Sequence, residues 1–225
     1  MARFISSIGQ ITGKLGGVVF KRRGNKIYVS KAPGHLKPTK DPATILKRKK
    51  FAWVGRFASA VNSSPLLKAL WNSASSGSHS AFNGIFKQVF NTYPSVDYPG
   101  PIVFTPASGF QLPSSSVVFG KSSLFIEISS LPCDSDIDPK IELSVIAAGI
   151  MILSDPVNES HPKEYFLPVQ SDKVPVSLND PSVLIISLTG CDLSIYESYR
   201  TKKAYLTLIT LDAFGNPFRH SEIIS

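Results

Sequence analysis

The chain of 225 residues predicts an α+β fold in two parts. Residues 1–95 read as a β-hairpin followed by a short helical bundle, 96–101 as a linker, and 102–225 as an antiparallel β-sandwich. Three observations carry this division. Apolar residues recur at helical spacing between Pro42 and Phe90. Beyond Ile102 the pattern changes to short β-branched and aromatic runs separated by Pro, Gly, Asp and Asn, as in all-β sandwiches. Charge divides at the same place: residues 1–95 hold 16 Lys and Arg against one acid, a net +15, and residues 96–225 hold eight against fifteen, a net −7. The overall +8 therefore describes neither part, and such asymmetry points to a polyanion-binding or self-assembling module joined to something different.

The elements follow in chain order. Val18-Val19-Phe20 and Ile27-Tyr28-Val29 flank Arg23-Gly24-Asn25, whose Gly and Asn tolerate positive φ, and this predicts a hairpin. Gly13, Gly16 and Gly17 permit a bend or close backbone approach just before it. Pro33, Gly34, Pro38 and Pro42 mark an extended connector. Asp41 before Pro42 is an N-cap followed by proline at the first helical position, and Ile45, Phe51, Val54, Phe57 and Val61 carry the helix to about residue 61. Ser64-Pro65 repeats the signal for a second helix ending before Gly77, and a third helix runs from about Ser80 to Phe90. Strands are expected at 102–105, 116–119, 124–129, 140–153, 164–169, 174–178, 183–188, 204–212 and 218–224, with no βαβ alternation that would suggest a doubly wound sheet.

The chemistry is read mainly from the basic residues. Lys21, Arg22, Arg23 and Lys26 straddle the hairpin turn, Lys37 and Lys40 lie on the connector, and Lys47, Arg48, Lys49, Lys50 and Arg56 sit on the first helix. Such a set suits phosphates, with salt-dependent affinity, or an acidic protein surface. Trp53, Trp71 and the Phe residues between 51 and 90 fit base-stacking platforms as residue types, but their helical spacing assigns them to a core. No helix-turn-helix or RNP aromatic pattern is present, so sequence-specific reading is not expected.

Catalytic and metal chemistry find no pattern. His35, His79, His161 and His220 do not stand at ligand spacing, and there is no P-loop, dinucleotide fingerprint or nucleophile elbow. Asp134-Ser135-Asp136-Ile137-Asp138 resembles half a calcium loop but lacks the later Gly and Glu, and a solvated turn explains it as well. Glu127, Glu142, Asp192 and Glu197 have no spacing that makes them a glycosidase pair. Cys133 and Cys191 would pair only if two strands bring them together, and two cysteines are no disulfide framework. No apolar run reaches membrane-spanning length, and residues 1–10 lack the apolar core of a secretory signal. The expectation is no enzyme, no cofactor, no metal, no small-molecule substrate and no membrane.

The first part carries a resemblance. Gly13-Lys14-Leu15-Gly16-Gly17-Val18-Val19-Phe20-Lys21-Arg22-Arg23-Gly24 leads to Tyr28-Val29-Ser30, then to Pro38-Thr39-Lys40-Asp41-Pro42-Ala43-Thr44, Arg48, Phe51-Ala52, Ala69-Leu70-Trp71-Asn72-Ser73-Ala74 and Ser80-Ala81-Phe82-Asn83. This order resembles a family of phage and prophage virion-associated proteins with an SGKxGxxVF…PxNPxTP…RxxFA…W module. It is also similar to proteins of Bacteroidota in which this start precedes an Ig-like half. Asp41-Pro42-Ala43-Thr44 departs from the family's Asn-Pro-x-Thr-Pro-Ala-Gln, and Ser80-Ala81 stands where Gly is common. The resemblance implies a virion location, no catalysis and an Ig-like form for the β-sandwich. The expected function is a non-enzymatic structural or assembly protein of a phage-like particle, capsid- or tail-associated. Its basic module would anchor to copies of itself, to other virion proteins or to packaged nucleic acid. The alternatives are a nucleic-acid binder without sequence specificity, and a surface adhesin or glycan binder that would use Tyr196, Tyr199 and Phe214, residues for which core or rim packing is the favoured reading.

Overall fold

The computed structural model describes residues 12–24, 26–32, 34, 41–74, 80–93, 102–106, 109–112, 115–130, 137–178 and 180–225. Two compact units divide the chain between Ile45 and Leu46, inside the first turns of its longest helix.

In the first unit, β1 (Gly13–Leu15), β2 (Val18–Arg23) and β3 (Lys26–Lys31) form an antiparallel sheet in that order. Arg23 pairs with Lys26 across a two-residue turn, where Gly24 takes a φ of 61° that a Cβ would disfavour. The expected hairpin is present. The glycine-rich segment before it supplies a third strand rather than only a bend, with Leu15 opposite Val18. Val18, Phe20, Ile27 and Val29 are half-buried, and no described residue of this unit is fully buried.

The expected helices are α1 (Pro42–Ser63), α2 (Pro65–Ala74) and α3 (Ala81–Thr92). The Asp41 carboxylate accepts from the Thr44 amide at 2.9 Å and its hydroxyl at 2.6 Å. These hydrogen bonds favour the ionised form and hold the Asp41 carboxyl below its ordinary range. Ser80 caps α3 by accepting from the Asn83 amide.

The strands of the second unit are β4 (Ser115–Phe119), β5 (Ser123–Ile128), β6 (Ser144–Pro156), β7 (Glu164–Gln170), β8 (Val174–Pro175), β9 (Ser182–Ser187), β10 (Tyr199–Leu211) and β11 (Pro217–His220). They form one sheet ordered β11-β10-β6-β7, with β8 also on β6, and a second ordered β4-β5-β9. All pairings between these strands are antiparallel, so the protein is a mixed α+β fold with a β-rich part.

The larger sheet has both faces covered. Ile146, Ala148, Ile150 and Ile152 of β6, with Phe166 of β7 and Ile209 of β10, share a core with Trp53, Phe57, Val61, Leu67, Ile85 and Val89 of the helices. Val145, Ala147, Met151 and Leu153, on the alternate face, share a second core with Leu124 and Ile126 of β5 and Leu184 and Ile186 of β9. This explains why residues 145–153 read as an unbroken apolar run, since a strand buried on both faces has no reason to alternate. It also groups the helices with the β-rich part, so the compact units do not meet at 96–101. That linker lies outside the described residues. Three amphipathic helices need an apolar surface to cover, and the even-numbered side of β6 provides it.

Several strand expectations shift. Residues 102–105 form no ladder, although Ile102 and Phe104 are buried. The 140–153 strand starts at Ser144, that at 174–178 shortens to Val174–Pro175, and β11 ends at His220 with Ile224 bridging back to Leu206. A helix, α4 (Gly190–Glu197), was not foreseen. Only its Tyr196 is buried, so the sequence there shows no apolar stripe to read.

The two tryptophans differ in a testable way. The Trp71 indole N–H donates to the Phe104 carbonyl at 2.8 Å. Trp53 stacks on Tyr93 and Phe57, and its buried N–H meets no acceptor among the described residues. Trp71→Phe orphans a buried carbonyl, whereas Trp53→Phe removes a donor that has no described partner. Trp53→Phe is therefore expected to cost about 1–3 kcal/mol less in urea unfolding. Equal losses would contradict this assignment.

Candidate functional site

Strand alternation sorts the hairpin cations onto two faces. Lys14 lies opposite Val19, Lys21 opposite Tyr28, and Arg23 opposite Lys26. These positions, with Ser30, form one face: four cations around a half-buried Tyr28. Arg22 belongs to the other face, with Leu15, Val18, Phe20, Ile27, Val29 and Lys31. There its Nε donates to the Gly24 carbonyl at 2.7 Å, bracing the turn. The sheet is thus amphipathic across its thickness. A depression of about 520 Å³ is lined by Lys21, Arg22, Arg23, Tyr28, Val29 and Ser30.

The remaining candidate cations separate further. Lys37 and Lys40 lie outside the described residues. Lys47, Arg48 and Lys49 point outward from α1. Lys50 is half-buried with its Nζ 4.5 Å from the centre of the Phe90 ring. The Arg56 guanidinium lies 3.8 Å from a Glu164 carboxylate oxygen and over the Phe166 ring, so it helps attach α1 to β7. Eleven cations that look alike in the sequence include at least two with packing roles. Lys14 and Tyr28 join the site although the sequence reading did not select them. The signal for Lys14 was the alternation of β1 against β2, legible only once β1 is known to be a strand, whereas that for Tyr28 was its place opposite Lys21 in the expected hairpin.

A second surface feature lies on the outer face of β4-β5-β9. Val118, Phe125 and Ile185 are directly opposite one another across the three strands, 52%, 36% and 44% exposed, and Val183 is 52% exposed beside Glu127. The Glu127 carboxylate accepts from the Ser116 hydroxyl at 3.3 Å. Outer sheet faces ordinarily carry polar residues against the buried ones, and an apolar row here departs from that pattern.

The other chemistry-bearing residues disperse. Glu127 lies on β5, Glu142 is fully buried ahead of β6, and Asp192 and Glu197 are on α4. Among the described residues no three His, Cys, Asp or Glu side chains gather as a metal-holding group. His220 is buried with Nδ1 3.0 Å from the Ser221 carbonyl, His161 lies against Tyr199, and His35 and His79 fall outside the described residues. So does the acidic run 134–136, and Cys133 with it; Cys191 is exposed and free. Tyr196 and Tyr199 are buried, their hydroxyls donating to the Gly120 and Pro162 carbonyls, and burial pushes both phenols up. They are unsuited to a glycan platform; Phe214 remains exposed on the turn after β10. No helix among the described residues is long and apolar enough to cross a membrane.

Comparison with family models, with curated proteins and with solved structures gives no match.

Proposed function

We propose that the chain is a non-enzymatic structural and assembly protein of a phage-like particle. In this reading the second unit is its body, with two sheets arranged as an Ig-like sandwich, and the basic N-terminal module anchors it to partners. The proposed location is the virion, in the capsid or tail. The observation that carries the reading is the exposed apolar row Val118–Phe125–Ile185, continued by Val183. Contiguous apolar surface on a folded layer is a hallmark of protein–protein contact, and aromatic anchors dominate such contacts. The resemblance of residues 13–83 to virion-associated proteins supplies the particle.

The test is sedimentation of the full chain over a range of concentration and salt. Association is expected, and Phe125→Glu or Ile185→Lys should weaken it by at least about tenfold, a difference of about 1.4 kcal/mol. A chain that stays monomeric at every concentration and salt, alone and with particle proteins, would overturn the reading.

A second reading, nucleic-acid binding without sequence specificity, is favoured by the cationic face of the first unit.

A further inference from the structure

We infer that the β1-β2-β3 face bearing Lys14, Lys21, Arg23, Lys26 and Tyr28 is a binding site for the phosphodiester backbone of a nucleic acid. This deepens the reading of the first unit as the anchoring module, and rests on it.

The first argument is where the net charge resides. Residues 1–45 hold nine Lys and Arg against one acid; residues 46–225 hold fifteen of each. The whole +8 therefore belongs to the first unit, and the larger unit is neutral. Divided at residue 95, the chain offers an acidic half that a second copy could present to the basic module. Divided where the structure divides it, that half is neutralised by the helices it folds with. A second copy thus brings no net negative charge, whereas a nucleic acid carries one charge for every phosphate.

The second argument is spacing. Same-face side chains on a strand are about 6.6 Å apart, twice the rise per residue, and neighbouring strands about 4.8 Å apart. Phosphates advance about 3.4 Å per nucleotide along the duplex axis, and the winding of the strand sets neighbouring phosphates roughly twice that far apart in space. Lys21 and Arg23 therefore match neighbouring phosphates, with Lys26 beside Arg23 across the turn. The third argument is Tyr28, paired with Lys21 and lining the same 520 Å³ depression, where an aromatic ring among cations suits an unstacked base. Four cations and one aromatic provide charge and stacking without a readout of base edges.

The experiment measures fluorescence anisotropy of a labelled random-sequence oligonucleotide, as duplex and as single strand, against the full chain over a salt series. Single variants remove equal charge from opposite faces of the same sheet. Lys21→Gln should reduce the log–log salt slope on duplex by about 0.9, the value per phosphate contact, and Lys21→Gln/Arg23→Gln by about 1.8. Lys31→Gln, on the other face, should leave it essentially unchanged. Tyr28→Leu should weaken single-strand binding by about fivefold or more with little effect on duplex, while Tyr28→Phe retains it. Equal effects of Lys21→Gln and Lys31→Gln would overturn the assignment to this face. So would absence of binding to either oligonucleotide at about 50 mM salt, where such contacts are strong. That result leaves the assembly reading to its own sedimentation test: a chain that associates without binding either oligonucleotide keeps its assembly role and loses the nucleic-acid site.

Discussion

Gly149→Ala is expected to destabilise the protein by about 3 kcal/mol or more, at the upper end of what overpacking a core costs. Gly149 lies in the middle of β6, opposite Leu206 on one side and Val169 on the other. A Cβ there would stand 2.0 Å from the Tyr205 carbonyl oxygen and 2.8 Å from the Leu206 Cα. Both are backbone atoms of β10, so no rotamer change relieves the clash and the strands must separate. The pairing at stake runs from Tyr199 opposite Pro156 to Leu211 opposite Ser144 and joins the two strands that serve both cores. With a typical net stability of about 5–15 kcal/mol, such a loss is a large fraction of the whole. Thermal denaturation followed by circular dichroism is the measurement. Ala147→Gly, on the same strand, should cost only about 1 kcal/mol. A Gly149→Ala protein that melts within a few degrees of its parent would show that the close approach is not as described.

Glu142 is the second position where a large effect is expected. Its side chain is fully buried. One carboxylate oxygen accepts from the Thr210 hydroxyl, and the other accepts from the Asp138 amide at 3.1 Å and lies 3.6 Å from the Arg219 Nε. The carboxylate thus joins the loop entering β6 to β10 and β11. Breaking a buried pair by removing one member costs about 3–5 kcal/mol, because the remaining groups lose their partner without regaining water. The Arg219 side chain is 38% exposed and can be rehydrated, which places Glu142→Ala near the lower end, about 3 kcal/mol. Glu142→Gln keeps an acceptor oxygen and should cost less. Urea unfolding of the two variants tests the ranking. A Glu142→Ala loss below about 1 kcal/mol, the level of a single ordinary hydrogen bond, would mean the network does not hold these elements together.

Much of the local structure was legible. Asp41-Pro42 and Ser80 announce helices because a cap and its first turn are adjacent in sequence. Gly24 announces a turn because the backbone there needs a positive φ. Most strands announce themselves through β-branched runs between turn residues. The misses have physical causes of their own. The strand β1 is three residues of Gly-Lys-Leu, too short and too polar for periodicity to register. The segment 102–105 looks like a strand because Ile102 and Phe104 are buried, yet it is buried without a ladder. In the candidate site, clustered cations were visible along the chain, and alternation alone sets Arg22 and Arg23 on opposite faces; that Lys14 joins the Arg23 face was not visible, since it depends on which strand is paired with which.

The sequence by itself determined the local states, the location of the basic segment, and the presence of helical stripes and strands that must be buried. Only the tertiary structure decided what buries them. Periodicity shows that a face is apolar, not which surface meets it, and here the helices share one core with β6 as well as packing on one another. That shared core moved the division of the chain from residues 96–101 to the Ile45–Leu46 boundary. It neutralised the larger unit and left the full +8 on residues 1–45, with six of their cations on a small three-stranded sheet. Charge is counted along the chain, but it acts through the groups that folding places side by side.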